Sequence, residues 1–156
     1  MNFCYIREEI MSEKAVFTNM CMVYDEDGNI LVEDRVKPDF CGIAFPGGHV
    51  KEREPFTFSV IREVKEETGL DIFSQKLCGV KQFFTEKNER YVVLLYKTKD
   101  FSGEITSSAE GKVFWIKRED INKYSLAPEF EKLLTIFTSD DATEFFCPED
   151  GESFLL

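Results

Sequence analysis

A chain of 156 residues, 43% hydrophobic and 14% aromatic, suits one domain spanning 1–156, and its 16 phenylalanines can fill a core without disulfides. Thirty acidic against 19 basic residues leave a net charge of −11, which argues against a nucleic-acid polymer as partner, because such binding needs clustered Lys and Arg. No run of about eighteen apolar residues occurs, and the opening MNFCYIREEI lacks the basic-then-apolar order of a signal peptide, so no membrane association and a cytoplasmic setting are expected.

In chain order, residues 15–25 (AVFTNMCMVYD) read as a buried strand. DEDGN at 25–29 is a turn centred on Asp-Gly, and ILVEDR at 30–35 returns as the second strand. GIAF at 42–45 is a short strand ended by Pro46 and two glycines. Pro55 suits the first turn of a helix, where its missing N–H costs nothing. That helix runs to about Thr68, with Gly69 placed as C-terminal cap. Strands follow at 76–84, 91–97 and 112–116. Residues 127–137 (APEFEKLLTIF) read as a second helix, with Phe130, Leu133, Leu134 and Phe137 on one face. The order is α+β, a mixed sheet covered by helices. The tail after Asp140 receives no element, yet Phe145, Phe146 and Phe154 require it to pack somewhere.

Five cysteines, at 4, 21, 41, 78 and 147, are odd in number and never spaced C-x-x-C, so they read as buried thiols of a reducing compartment rather than a zinc site. One histidine cannot supply a multi-histidine metal centre.

The first helix carries the chemistry. At 100° per residue with Phe56 at zero, Val60 falls near 40° and Val64 near 80°, a core stripe. Glu63, Glu66 and Glu67 share one arc of about 100°, and Glu67 overlaps the apolar edge. Like charges this close cost roughly 1 kcal/mol per pair in water and up to about 4 near a low-dielectric surface. One reading is a solvated face with Arg62 and Glu66 as an i,i+4 pair. The other is a hard divalent cation held by the carboxylates, which relieves Glu63 and Glu67 beside the core. Mg²⁺, with Mn²⁺ as the alternative ion, accepts such oxygens and keeps waters for a phosphate substrate. Pro46-Gly47-Gly48 either forms an ordinary turn or brings backbone close, with carbonyls toward a metal and N–H groups toward phosphate.

Gly48, Glu54, Arg62, Glu63, Val64, Glu66, Glu67, Gly69 and Leu70 fill every specified position of the Nudix box, so the chain resembles the Nudix hydrolases. FPGGHV, the YKTKDFSGEITSSAEGKVFWI segment and the later EFF are similar to MutT-like bacterial 8-oxo-dGTP diphosphatases. The resemblance implies a Nudix α/β/α sandwich with a mixed β-sheet and a Mg²⁺-dependent pyrophosphohydrolase acting on nucleoside triphosphates. By position it implies Glu63, Glu66, Glu67 and the Gly47 carbonyl as metal ligands. Arg62 then orients the glutamates, and Glu54 supports the loop–helix join. The catalytic base falls either on Glu66 or on Glu110 of a later loop. Many relatives carry an acid where this chain has Lys112. Arg35 is placed to contact phosphate and Gly48 lies on the phosphate-facing loop.

For the base, Phe45 is placed like a pocket aromatic, with a core position as the other reading. Asn19, polar within an apolar strand, reads a base edge or bonds within the sheet. His49 either touches phosphate or stays idle. A base-reading asparagine of mammalian oxidised-purine hydrolases is Ala44 here, so purine recognition would need other groups. Family analogy also implies a homodimer. Two other functions stay open: a Nudix hydrolase of ADP-ribose, a dinucleoside polyphosphate or another diphosphate, and a non-catalytic nucleotide-sensing module.

Overall fold

The computed structural model describes residues 12–37 and 40–156. Strand β1 (Ala15–Val23) runs parallel to β6 (Arg90–Thr98), in register from Ala15 opposite Arg90 to Val23 opposite Thr98. Strand β5 (Lys76–Phe84) forms a hairpin with β6, closed by Thr85 N–H on the Glu89 carbonyl at 2.9 Å. Strand β9 (Glu144–Cys147) lies parallel to β5, and β10 (Phe154–Leu155) turns back along β9. The sheet order is therefore β1-β6-β5-β9-β10. The tail, which no local pattern assigns, supplies two of its five strands.

A second sheet holds β3 (Phe40–Ala44), β2 (Asn29–Lys37) and β8 (Gly111–Lys117), all antiparallel in the order β3-β2-β8. A two-stranded ribbon of β4 (Asp71–Phe73) and β7 (Asp100–Ser102) completes the strands. The Asp25–Asn29 turn forms as expected, its Asp25 Oδ1 accepting the Asn29 N–H at 2.9 Å. The two strands it joins nevertheless enter different sheets, touching through a Tyr24–Ile30 bridge. Each buries apolar residues on both faces, so each needs a helix on either side rather than one solvated face.

Those helices are α1 (Phe56–Thr68) and α2 (Phe130–Thr138). Alternation along β1 sends Cys21 and Val23 to the α1 side, where they pack with Val60, Val64, Leu31 and Leu94. Met22 points the other way, into a cluster with Phe45, Leu95, Phe130, Leu133, Phe137 and Phe145. Strand β2 divides in the same manner, Leu31 joining the α1 cluster and Ile30 and Val32 the other. The two sheets thus share a middle layer, with α1 over one face and α2 over the other.

Three expectations need correction. Phe56 is 42% exposed rather than in the core stripe, and its ring lies against Phe17 at 5.3 Å. The fully buried part of the stripe is Val60 and Val64. Helix α2 begins at Phe130 rather than residue 127, because Glu129 takes a left-handed backbone, φ 66°, that a right-handed helix cannot include. Of the cysteines, Cys21 is buried and Cys78 and Cys147 are half-buried, but Cys41 is exposed. Cys4 and the N-terminal segment lie outside the described residues. Among the described residues no helix is long and apolar enough to cross a membrane.

The glycine loop is fixed by β1. Cys21 N–H bonds the Pro46 carbonyl, Asn19 N–H the Gly48 carbonyl and Val50 N–H the Phe17 carbonyl, each at 2.9 Å. The loop thus continues the sheet past its β1 edge. A Cβ on Gly47 would collide with the Asn19 carbonyl, so the approach requires glycine.

Candidate active site

Two arginines organise the glutamates around this loop. Arg62, on α1, donates from Nε to Glu54 Oε1 at 2.7 Å and from Nη2 to Glu54 Oε2 at 2.8 Å. Its Nη1 reaches Glu63 Oε1 at 2.6 Å and Glu66 Oε2 at 3.2 Å, and Nη2 also bonds the His49 carbonyl at 3.0 Å. A planar fork with five N–H donors can serve all of these at once. Glu54 also accepts the Lys51 N–H at 2.9 Å. The Arg62 guanidinium, helped by that N–H, holds the Glu54 carboxyl down at about 2.

The second cluster is drier. Glu67 is 6% exposed and Glu33 fully buried. Glu67 Oε2 accepts the Gly47 N–H at 2.8 Å, and Oε1 accepts Arg35 Nη2 at 3.2 Å. Arg35 also donates from Nε to Glu33 Oε2 at 3.0 Å and from Nη2 to the Gly47 carbonyl at 3.1 Å. Burial, reinforced by the Glu33 carboxylate, pushes the Glu67 carboxyl up to about 8 despite Arg35. Glu33 is not singled out in the sequence, although a signal is present: Leu31, Glu33 and Arg35 share one face of β2, and Leu31 is fully buried.

Both clusters open on one cleft of about 1050 Å³. Its walls include Arg35, Gly47, Gly48, His49 and the three helix glutamates at one end, and Lys81, Phe83, Tyr91 and Glu129 elsewhere. The Phe83 and Tyr91 rings stack at 4.8 Å, since the two residues are directly paired across β5 and β6.

The sequence model of the NUDIX domain matches residues 16–136. The chain belongs to this family. A Nudix hydrolase of Bacillus subtilis, YvcI, is 30% identical over 113 residues, covering 69% of this chain and 70% of that protein. The 8-oxo-dGTP diphosphatase of a Buchnera aphidicola strain is 37% identical over 82 residues, 52% of this chain and 60% of that protein. The solved MutT Nudix hydrolase of Burkholderia pseudomallei superposes with a TM-score of 0.69 at 25% identity, covering 81% of this chain and all of that one. The mixed sheet between helices matches that Nudix architecture, and the chain is a Nudix hydrolase.

Within this Nudix site the other expected residues take varied places. Glu110 lines the cleft from the loop before β8, while Lys112 does not. Asn19 is 2% exposed and spends its amide N–H on Ser59 Oγ at 2.8 Å, tying β1 to α1 rather than bonding within the sheet. His49 turns its ring edge to Tyr91, with Nε2 3.5 Å from the hydroxyl. Phe45 is a correction. It is fully buried, stacked on Phe130 at 4.7 Å and edge-on to Phe137 at 5.0 Å, because the end of β3 aims it at α2. The aromatic wall of the cleft is Phe83 and Tyr91 instead, residues not singled out in the sequence.

The donor set fits a hard divalent cation. Glu63, Glu66, Glu67 and the Gly47 carbonyl offer only oxygen. A Cβ on Gly48 would collide with the Glu63 carboxylate, so this glycine leaves room for that group against the loop. A cation beside Glu67 would favour its charged form, which burial and the Glu33 carboxylate oppose. Among the described residues no three acids are gathered as a ready cage, since Arg62 and Arg35 hold their oxygens.

Proposed function

We propose that this Nudix hydrolase cleaves nucleoside triphosphates to monophosphate and pyrophosphate, with 8-oxo-dGTP to 8-oxo-dGMP as the candidate reaction in a cytoplasmic nucleotide pool. One observation carries the reading: a single cleft joins the glutamate helix to a stacked aromatic wall, so phosphates and base each have a suitable end. Glu63, Glu66, Glu67 and the Gly47 carbonyl would hold Mg²⁺, with Mn²⁺ as the alternative. When bound, the ion neutralises phosphate charge and makes water more acidic.

The chain's own groups do the rest. Glu66 keeps a side chain 54% exposed at the cleft, so it is the proposed acceptor of the water proton as oxygen attacks phosphorus and the bridge between the α and β phosphates breaks, giving monophosphate and pyrophosphate. Glu110 is the second candidate base. Arg62 positions Glu63 and Glu66, and Arg35 is the proposed contact for a phosphate oxygen.

The test is a hydrolysis panel with Mg²⁺: 8-oxo-dGTP, the four ordinary dNTPs, ADP-ribose, diadenosine polyphosphates and sugar nucleotides, with products resolved. Highest kcat/KM on a nucleoside triphosphate, with pyrophosphate released, is expected. Preference for ADP-ribose or another diphosphate would overturn the substrate class. No turnover of any compound would favour a sensing module.

A further inference from the structure

Lys81 breaks the pattern of its strand. On β5 it pairs with Val93 of β6 and Phe145 of β9, so its side chain shares their face. Both neighbours are core residues, Val93 at 7% and Phe145 at 0% exposure. An aliphatic residue would satisfy that position, yet a cation occupies it. Its Nζ stands 5.6 Å from the Phe145 ring centre and 5.8 Å from that of Phe83. Among the described residues no carboxylate comes within ion-pair distance of it. Burial lowers its pKa, and Cys147 and Glu129 oppose that shift. A half-buried ammonium without a close acceptor is costly, and such violations mark function more often than packing.

Glu129 faces the same cleft from the start of α2. Its backbone is left-handed, φ 66°, an uncommon state for a residue with a side chain. Its Oε2 lies 3.3 Å from Lys132 Nζ, which steadies the carboxylate. The glycine loop lies on the outer edge of β1, and β6 separates β1 from β5. Three strand spacings put Lys81 on the order of 14 Å from that loop. A ligand with phosphate at the loop therefore brings its base, not its phosphates, to Lys81 and Glu129.

We propose that Lys81 and Glu129 read the edge of a guanine-type base, Lys81 donating to the ring carbonyl and Glu129 accepting from the adjacent ring N–H and amino group. This rests on the nucleotide reading above. Guanine alone among the four bases presents two neighbouring donors to match two carboxylate oxygens, beside a carbonyl for the ammonium. Adenine offers Lys81 no carbonyl, and thymine and cytosine offer Glu129 a single donor. Oxidation at the 8-position leaves this edge unchanged.

The experiment is calorimetric binding of dGMP, dIMP, dAMP, dCMP and dTMP to the full chain with Mg²⁺, with dNTP hydrolysis measured alongside. Wild type is expected to bind dGMP about tenfold or more tighter than dAMP, dCMP and dTMP, with dIMP between. Lys81→Met should bring dGMP to within about threefold of dAMP, with an unfolding midpoint no lower than wild type, because the position is apolar. Glu129→Gln should erase the gap between dGMP and dIMP. Absence of a guanine preference in wild type, its survival in Lys81→Met, or no nucleotide binding at all would overturn the inference. Hydrolysis with base preference unchanged in the variants sinks only this inference. Base-selective binding without hydrolysis upholds it and sinks the hydrolase reading.

Discussion

Two arginines flank the Gly47–Gly48 loop, and glutamates surround both, yet the carboxyls beside them shift in opposite directions. Glu54 is held near 2 by Arg62, whereas Glu67 is pushed to about 8 although Arg35 touches it. The difference is burial and sharing. Both Glu54 oxygens take an Arg62 N–H of their own. Glu67 sits deeper and divides Arg35 with the fully buried Glu33. Glu54 is therefore paired outright, whereas Glu67 shares its arginine with a second carboxylate. On the proposed reading, the cation sits between the two clusters, held by Glu63 and Glu66 from that of Arg62 and by Glu67 from that of Arg35.

The largest expected break in this asymmetry is Glu67→Gln. It should lower kcat with Mg²⁺ by at least about 10²-fold if Glu67 is a ligand as proposed, because a ligand matters more to the ion than its supporting residues. The metal-free unfolding midpoint should stay level or rise, since burial already disfavours the charged carboxylate that the amide replaces. Steady-state rates and thermal unfolding of the same preparation check both halves.

Arg62→Ala should do the reverse, with stability falling first. Three carboxylates lose a shared partner, at a cost below that of a buried pair because this cluster meets solvent. Arg62→Lys should recover less than half, since one ammonium cannot reproduce the fork on Glu54. Denaturant unfolding of the three proteins decides it.

The smallest effect is on pH dependence. A carboxyl raised from 4.5 to about 8 on folding binds its proton more tightly in the folded chain. Metal-free stability should therefore decline as pH rises from about 5 to 8, and the decline should flatten in Glu67→Gln. A rising midpoint over that range would contradict the burial argument. Glu54 contributes in the opposite sense, but only below about pH 4.5, where its stabilisation is lost as pH falls toward 2.

Much of this was legible because the signals are local. Pro55 and Gly69 bracket α1 within its own sequence, and Gly69 takes the left-handed state that a C-terminal cap needs, φ 79°. The spacing of Glu63, Glu66 and Glu67 needs only helical geometry. What stayed hidden depends on distant partners. The tail strand β9 exists through β5, more than sixty positions earlier in the chain at Val80 opposite Glu144. The aim of Phe45 depends on where α2 packs, and a core aromatic and a pocket aromatic look alike in sequence. Lys81 reads as an ordinary surface lysine until Val93 and Phe145 are known to flank it.

The most direct test of the central claim is a Mn²⁺ titration followed by electron paramagnetic resonance, on wild type and Glu67→Gln without nucleotide. Saturable binding to wild type is predicted, with an affinity at least about tenfold weaker in the variant. Equal affinity in the two proteins would show that the buried cluster around Glu67 is not the metal site.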